Sequence, residues 1–321
     1  MTENTLPVAC SSQNSPVPPD ILTRVVAYLL APFRISEWKK CCLEIRSLDC
    51  KKAREAGFKI LCYYLLFSPI VAMPFYNSII FHPFVAGDYF VEQIAGVKKQ
   101  DVFFQSAERK MHAWYFSKPG AKNLVLISHG NAGNLTHRKA LIQLLLESGA
   151  SVFIYDYEGF GRSDGSPSVD NCCNDALAAY DCVSKQLKIP SEAIIVYGES
   201  IGTAFTCQLA SKRTVSKIVL QSGFSSLLQI ANEKVPLIAL YPKELFMCNH
   251  LDSAAYLKGA HPPVLIIHGQ KDEIIPAHNS DDLYRVASGS KFIVKLPEAG
   301  HNDVPEKMNF DGLSALSSFV Q

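Results

Sequence analysis

Six short apolar runs constrain the fold of this chain more than any other feature: "NLVLISHG", "SVFIYDY", "AIIVYGES", "SKIVLQSG", "PVLIIHG" and "KFIVKL". A strand with one wet face alternates apolar and polar residues, whereas an unbroken Val/Ile/Leu run has both faces covered. Between the runs lie segments with helical periodicity, such as "LTHRKALIQLLLESG" and, at 279–287, "NSDDLYRVA". Ahead of them, "DVFFQSA" and "MHAWYF" read as an antiparallel pair turning near Glu108 and Arg109. The order predicts an α/β domain: a mostly parallel, doubly wound sheet of about eight strands with right-handed crossovers.

Composition narrows the function classes. With 321 residues, 48% hydrophobic and 19% charged, the chain is able to bury a large core. Its net charge of +1 supplies no global field for nucleic acid, so no nucleic-acid partner is expected. Ten cysteines occur without a C-x-x-C spacing, which argues against structural zinc, and no metal site is expected. Cys172 and Cys173 fall in the amphipathic segment "SVDNCCNDALAAYDCV" and read as small core residues. "GFGRSDG" approximates a dinucleotide fingerprint through Gly159, Gly161 and Gly165, but Asp164 stands where a further glycine is required. No nucleotide or other cofactor is expected, and these glycines read as a tight turn.

The N-terminal part differs from the rest. Residues 1–59 read as a Ser/Pro/Asn-rich, disordered start followed by an amphipathic region, with "ILTRVVAYLLAPF" at Ile21–Phe33 too short to span a bilayer. From Ile60 to Gly87 there is no Asp, Glu, Lys or Arg, which is long enough for a membrane anchor over residues 60–87. Pro69, Pro74 and Pro83 would each kink a spanning helix, so a re-entrant or interfacial element, or a long entry segment packed on the domain, are the alternatives. Lys51, Lys52, Arg54 and Lys59 before the run, against Asp88 and Glu92 after it, would orient a single span with the N-terminus cytoplasmic. A cleaved signal peptide is disfavoured, because the run starts far from Met1 and has no small-residue cleavage site at a normal distance. The remaining domain, 88–321, is expected to carry the chemistry.

Doubly wound sheets gather their sites beyond the carboxyl ends of the strands. One strand ends in Gly198-Glu199-Ser200-Ile201-Gly202, the spacing of a sharp strand-to-helix turn that presents a strained serine. A serine hydroxyl is a weak nucleophile that needs a base, and the base needs a carboxylate to fix its tautomer. His301 in "EAGHND" and Asp272 in "HGQKDEIIP" supply them. Glu273 is the competing acid, but a neighbouring residue leaving a strand end points elsewhere. His268 and His278 read as structural. The amide of Ile201, and that of Asn131 in "SHGNAGN", are the expected donors to a developing oxyanion.

"SHGNAGN", "YDYEGFGRSDGSPS", "YGESIGT", "VLIIHGQKDEIIP" and "GHND" together resemble the α/β-hydrolase superfamily, specifically its membrane-anchored branch that includes protein depalmitoylases. The resemblance covers roughly residues 100–321. It implies Ser200 as nucleophile, Asp272 as acid, His301 as base, and the amides of Asn131 and Ile201 as oxyanion hole. The segment from Gly223 to His261 is expected to form a small cap, with Phe224 and Leu227 foremost among residues (Leu228, Leu237, Ile238, Leu240 and Tyr241) available to an acyl pocket. A small cap and an anchor favour an ester or thioester of an acylated protein or lipid-like substrate at a membrane. Amide hydrolysis on the same fold and a non-catalytic interaction role are the alternatives.

Overall fold

A computed structural model describes residues 50–66, 68, 75–246 and 251–321. The chain divides into two units after Tyr63. Of the first unit, the described part belongs to helix α1, Cys50–Leu66, which crosses the boundary. Phe58, Ile60, Leu61 and Tyr63 on it are exposed.

The second unit is built on a nine-stranded sheet. In chain order its strands are β1 (Gln93–Ile94), β2 (Val97–Ser106), β3 (Arg109–Phe116), β4 (Leu124–Ser128), β5 (Ser151–Tyr155), β6 (Ile194–Glu199), β7 (Lys217–Gln221), β8 (Val264–Gly269) and β9 (Lys291–Leu296). Their spatial order is β9-β8-β7-β6-β4-β5-β3-β2-β1. The strands β4 to β9 run parallel, and β3, β2 and β1 add to the β5 side antiparallel. The α/β reading and the β2–β3 hairpin are therefore present as expected; the additional strand is the two-residue β1 at the edge, too short to leave a periodic signal.

Burial follows from the parallel arrangement. Every residue of β4, β5 and β8 is buried. Successive side chains point to opposite faces of a strand, and the two cores sort accordingly. Leu124, Leu126, Phe153, Tyr155, Ile194 and Val196 pack on one face. Val125, Ile127, Val152, Ile154, Ile195 and Tyr197 pack on the other. The first face is covered by α4 (Val169–Asp181), α5 (Gly202–Lys212), α7 (Ser253–Lys258) and α8 (His278–Val286). The second is covered by α3 (Lys139–Glu147) and α9 (Phe310–Val320). Cys172 and Cys173 sit in the α4 layer, and burial pushes the Cys173 thiol up to about 12. Such a thiol is uncharged and inert at neutral pH.

The uncharged run does not form one spanning helix. Among the described residues no helix is long and apolar enough to cross a membrane. Helix α1 enters the run from the charged side, carrying Lys51, Lys52, Arg54 and Lys59, and stops at Leu66. The run resumes as the short helix α2, Tyr76–Ile80, and then as the strand pair His82–Pro83 with Ala132–Gly133. Pro83, lacking an N–H, fits this two-residue edge pairing and not a helix interior. Residues 1–49, with Ile21–Phe33, and Pro69 and Pro74 lie outside the described residues.

The end of the run is instead tied into the second unit. His82 N–H donates to Asn131 O at 2.8 Å and Phe84 N–H to Gly133 O at 3.0 Å. Asn131 Nδ2 donates to Ile80 O at 2.9 Å, and Asn134 Nδ2 to Phe84 O and Ala86 O, both at 2.7 Å. Phe81 is buried against Phe160 and Phe205. A cut at Asp88, where the sequence reading placed the domain boundary, removes all of these. A chain begun at Asp88 is expected to melt several degrees below one begun at Tyr64, because the carbonyls of Asn131 and Gly133 and the side-chain amides of Asn131 and the buried Asn134 lose their partners. Equal melting temperatures in differential scanning calorimetry would show that residues 80–86 add nothing to the fold.

Candidate active site

Strand β6 ends at Glu199, and the chain reverses at once into α5. The reversal is sharp enough that Ser200 takes a left-handed φ of 55°, a conformation that costs a residue with a Cβ of order 1–3 kcal/mol. Its flanking glycines are required by space. A Cβ on Gly198 would lie 2.5 Å from Thr203 Cα, and one on Gly202 would lie 2.0 Å from the Ser128 carbonyl oxygen. Both contacts are with backbone, which cannot yield. Ser200 N–H donates to Gln221 O at 2.9 Å, and its own carbonyl accepts from Thr203 Oγ1 at 2.6 Å.

The three expected triad residues converge from three strand ends. Ser200 Oγ lies 3.0 Å from His301 Nε2, and His301 Nδ1 lies 2.7 Å from Asp272 Oδ2. A carboxylate only accepts, so Nδ1 carries the proton and Nε2 is left to accept from the serine hydroxyl. The other Asp272 oxygen accepts from the N–H groups of Ile274 at 2.9 Å and Ile275 at 2.8 Å. Burial alone would raise the Asp272 carboxyl; hydrogen bonds from His268 and His301, the imidazole charge and the Ile275 amide outweigh it and hold the group well below the usual carboxylate range. Glu273 is exposed, and its backbone carbonyl takes the Lys234 ammonium.

The turn after β4 lies against the nucleophile. A Cβ on Gly130 would be 3.5 Å from Ser200 Cβ. Asn131 follows, braced by residues 80–84, and Ile201 directly follows the serine as the N-cap of α5. Asp156, fully buried behind the turn, accepts from Leu135 N–H at 2.7 Å and lies 3.4 Å from His129 Nε2. Burial opposes its charge, yet the nearby imidazoles of His112 and His129 and the Leu135 amide hold it below the ordinary value. Beside the turn opens a cleft of ≈ 340 Å³ lined by Ala132, Gly133, His137, Arg138, Ala140, Leu141, Glu199, Gln221, Asn302, Pro305 and Glu306. Among the described residues no group of three or more His, Cys, Asp or Glu is arranged to hold a metal ion.

A family model of the alpha/beta hydrolase fold matches residues 123–245. An uncharacterized protein of Mycobacterium tuberculosis is 35% identical over 216 residues, covering 66% of this chain and 75% of the relative. The chain belongs to the α/β-hydrolase superfamily. The alpha/beta hydrolase domain-containing protein aho-3 of Caenorhabditis elegans is 32% identical over 205 residues, covering 63% of this chain and 58% of that protein. Among solved structures, a Pyrococcus furiosus esterase superposes with a TM-score of 0.62 at 18% identity, over 75% of this chain and 97% of its own. At that identity the likeness is one of fold.

Within this superfamily member, two parts of the sequence reading need adjustment. His268, expected as a structural strand-end residue, also faces the site: its Nε2 lies 3.2 Å from Asp272 Oδ2 and 2.9 Å from Ile275 O, two acceptors that fix the proton on Nε2. The signal was the four-residue spacing between His268 and Asp272 across a strand end. Phe224, named for an acyl pocket, is only 2% exposed and belongs to the core, and Leu227 is half-buried against the same core at the start of α6 (Leu227–Lys234). Leu228, Ile238 and Tyr241 also pack there, whereas Leu240 is exposed; the Leu237 side chain is outside the described ones. His278 starts α8, exposed, with Nε2 3.2 Å from Glu233 Oε1.

The depressed Asp272 carboxyl has a pH consequence. Its folded-state value lies below the unfolded one of about 3.9, so as pH falls the unfolded chain takes up this proton first. Its contribution to stability is full above about pH 4 and is lost as pH drops towards the folded-state value. The melting-temperature difference between wild type and Asp272→Asn is therefore expected to be largest above about pH 5 and to shrink by pH 3. A difference that is flat or widens on acidification would contradict the assignment.

Proposed function

We propose that this protein is a serine hydrolase that cleaves acyl esters or thioesters through an acyl-enzyme, with Ser200 as nucleophile, His301 as base and Asp272 as its orienting acid. The observation that carries the reading is the unbroken path from Ser200 Oγ through His301 to Asp272, at 3.0 and 2.7 Å. His301 Nε2 takes the hydroxyl proton as Oγ attacks the acyl carbonyl, and the imidazolium is stabilised by a carboxylate that stays ionised. The same proton is then given to the leaving oxygen or sulfur. Water, activated by the same nitrogen, releases the acid and restores the serine. The amides of Ile201 and Asn131 are assigned to the oxyanion, a role in which one donor is worth about 3–4 kcal/mol.

A membrane setting is supported by α1. Basic Lys51, Lys52, Arg54 and Lys59 stand on a helix whose Phe58, Ile60, Leu61, Tyr63, Leu65 and Leu66 are exposed. Basic groups with exposed apolar side chains suit an interfacial helix on anionic lipid, and the substrate class follows: an acyl chain on a protein or lipid, presented at that surface. Full-length protein is expected to sediment with vesicles containing anionic lipid, more weakly with neutral ones. No sedimentation with either would remove the membrane from the reading.

The chemistry is tested by a fluorophosphonate probe and an activated ester. Wild type should be labelled and turn over. Ser200→Ala should lose labelling and about three or more decades of rate while remaining folded, and Asp272→Asn should fall far below Glu273→Gln. Turnover of Ser200→Ala within tenfold of wild type, or equal losses for the two acid variants, would reject these catalytic roles.

A further inference from the structure

Arg138 and Glu199 form an ion pair that touches both halves of the proposed oxyanion site. Glu199 is the residue immediately before the nucleophile, at the end of β6. Arg138 closes the 3₁₀ turn Leu135–Arg138 that follows the Gly130–Asn134 segment and caps α3. Its Nε donates to Glu199 Oε2 at 2.9 Å, and the side chains are only 13% and 14% exposed. The rest of the guanidinium packs against the turn. A Cβ on Gly130 would stand 3.2 Å from Nη2, and one on Gly133 3.0 Å from Nη1. The same point over Gly130 is 3.5 Å from both Glu199 Oε1 and Ser200 Cβ. A planar, rigid fork thus fills the concave side of the turn while its third nitrogen holds the residue next to Ser200.

We infer that Arg138 and Glu199 are positioning residues that clamp the turn at Asn131 to the serine elbow, setting the separation of the two oxyanion donors. The inference rests on the serine-hydrolase reading above. A left-handed Ser200 persists only where its surroundings over-determine it, and the pair ties that strained segment to the other donor. A displacement of order 1 Å at such donors weakens transition-state stabilisation while leaving ground-state binding nearly untouched. The partly buried setting strengthens the pair relative to a surface one, and leaving either charge alone there is costly. Burial would raise the Glu199 carboxyl, but the Arg138 charge and hydrogen bond keep it below its ordinary range, so the pair is ionised at neutral pH.

The test uses the full chain, a p-nitrophenyl acyl ester as substrate and an alkyl boronic acid as a tetrahedral mimic. Arg138→Gln and the isosteric Glu199→Gln are each expected to lower kcat by about 10- to 100-fold, to leave KM within about threefold, and to weaken the boronic acid by a factor similar to that in kcat. The double variant should be little worse than the worse single one, since both remove one clamp. Arg138→Lys, which keeps the charge but not the fork, should lie between wild type and Arg138→Gln. If Arg138→Gln fails to fold, Glu199→Gln carries the test, with the folded fraction set by circular dichroism. Unchanged kcat, a loss confined to KM, or additive effects in the double variant would overturn the clamp alone. Wild type that neither turns over the ester nor binds the boronic acid would overturn the hydrolase reading and the clamp with it.

Discussion

Ser200 sits in a backbone conformation it would not choose, and the surrounding architecture follows from keeping it there. The sheet supplies the first restraint. Ser200 N–H is tied to Gln221 at the end of β7, the neighbour of β6, so the turn cannot relax without breaking strand register. Helix α5 supplies the second, because its first residue, Gly202, lies so close to the end of β4 that an added Cβ would stand 2.0 Å from the Ser128 carbonyl oxygen. Three adjacent strands are thus drawn together at one point, and the switch in strand order between β5 and β6 around β4 leaves the crevice open above it. Strain at one residue is tolerable because two cores, one on each face, resist the movement that would release it.

Charge is the second constraint, and here burial is opposed by pairing in each case. Asp272, Asp156 and Glu199 all lie where desolvation disfavours a carboxylate, and all three are held ionised by neighbours. For Asp272 those neighbours are two histidines and two backbone amides. The arrangement leaves His301 with a fixed tautomer, which a lone carboxylate contact on an exposed loop would not secure. Asp175 shows the opposite outcome in the same protein. Burial raises it to about 7, and the hydrogen bond that Asp175 Oδ2 accepts from the Glu158 amide at 2.9 Å does not offset this. Cation or imidazole pairing separates the two behaviours.

What could be read from the sequence was what depends on near neighbours along the chain. Unbroken runs such as Leu124–Ser128 announce two-faced burial wherever they sit, and a serine between glycines announces the turn that needs them. Asp272 and His301 were legible as candidates because strand ends are few, and Glu273 was the one competing acid beside Asp272. Pairings set by the third dimension were not legible. Nothing near Arg138 signals Glu199, 61 residues away, and an apolar residue such as Phe224 reads alike whether it lines a pocket or fills a core. The uncharged run misled in the same way: hydropathy counts residues, while the backbone hydrogen bonds of Ile80–Ala86 are decided by a turn some 50 residues later.

That turn joins the two halves of the chain's behaviour. Residues 131–134 receive the end of the uncharged run on one side and Arg138 on the other. The same run, upstream, includes Tyr64, whose ring stacks on Tyr241 at 4.5 Å and whose hydroxyl donates to Leu240 O at 3.1 Å. Tyr241 returns the contact by donating to Tyr64 O at 2.8 Å. One stretch therefore contacts Leu240 and Tyr241 near its start and the turn beside Ser200 at its end. Part of its apolar character answers to packing, since Phe81 fills core space, while the backbone carbonyls of Phe84 and Ala86 hold Asn134 whatever side chains they carry. Apolar composition from Ile60 to Gly87 thus covers two settings: surface exposure in α1 and again at Phe84 and Val85, and burial of Phe81 in the core. Hydropathy alone sums them into one apparent span.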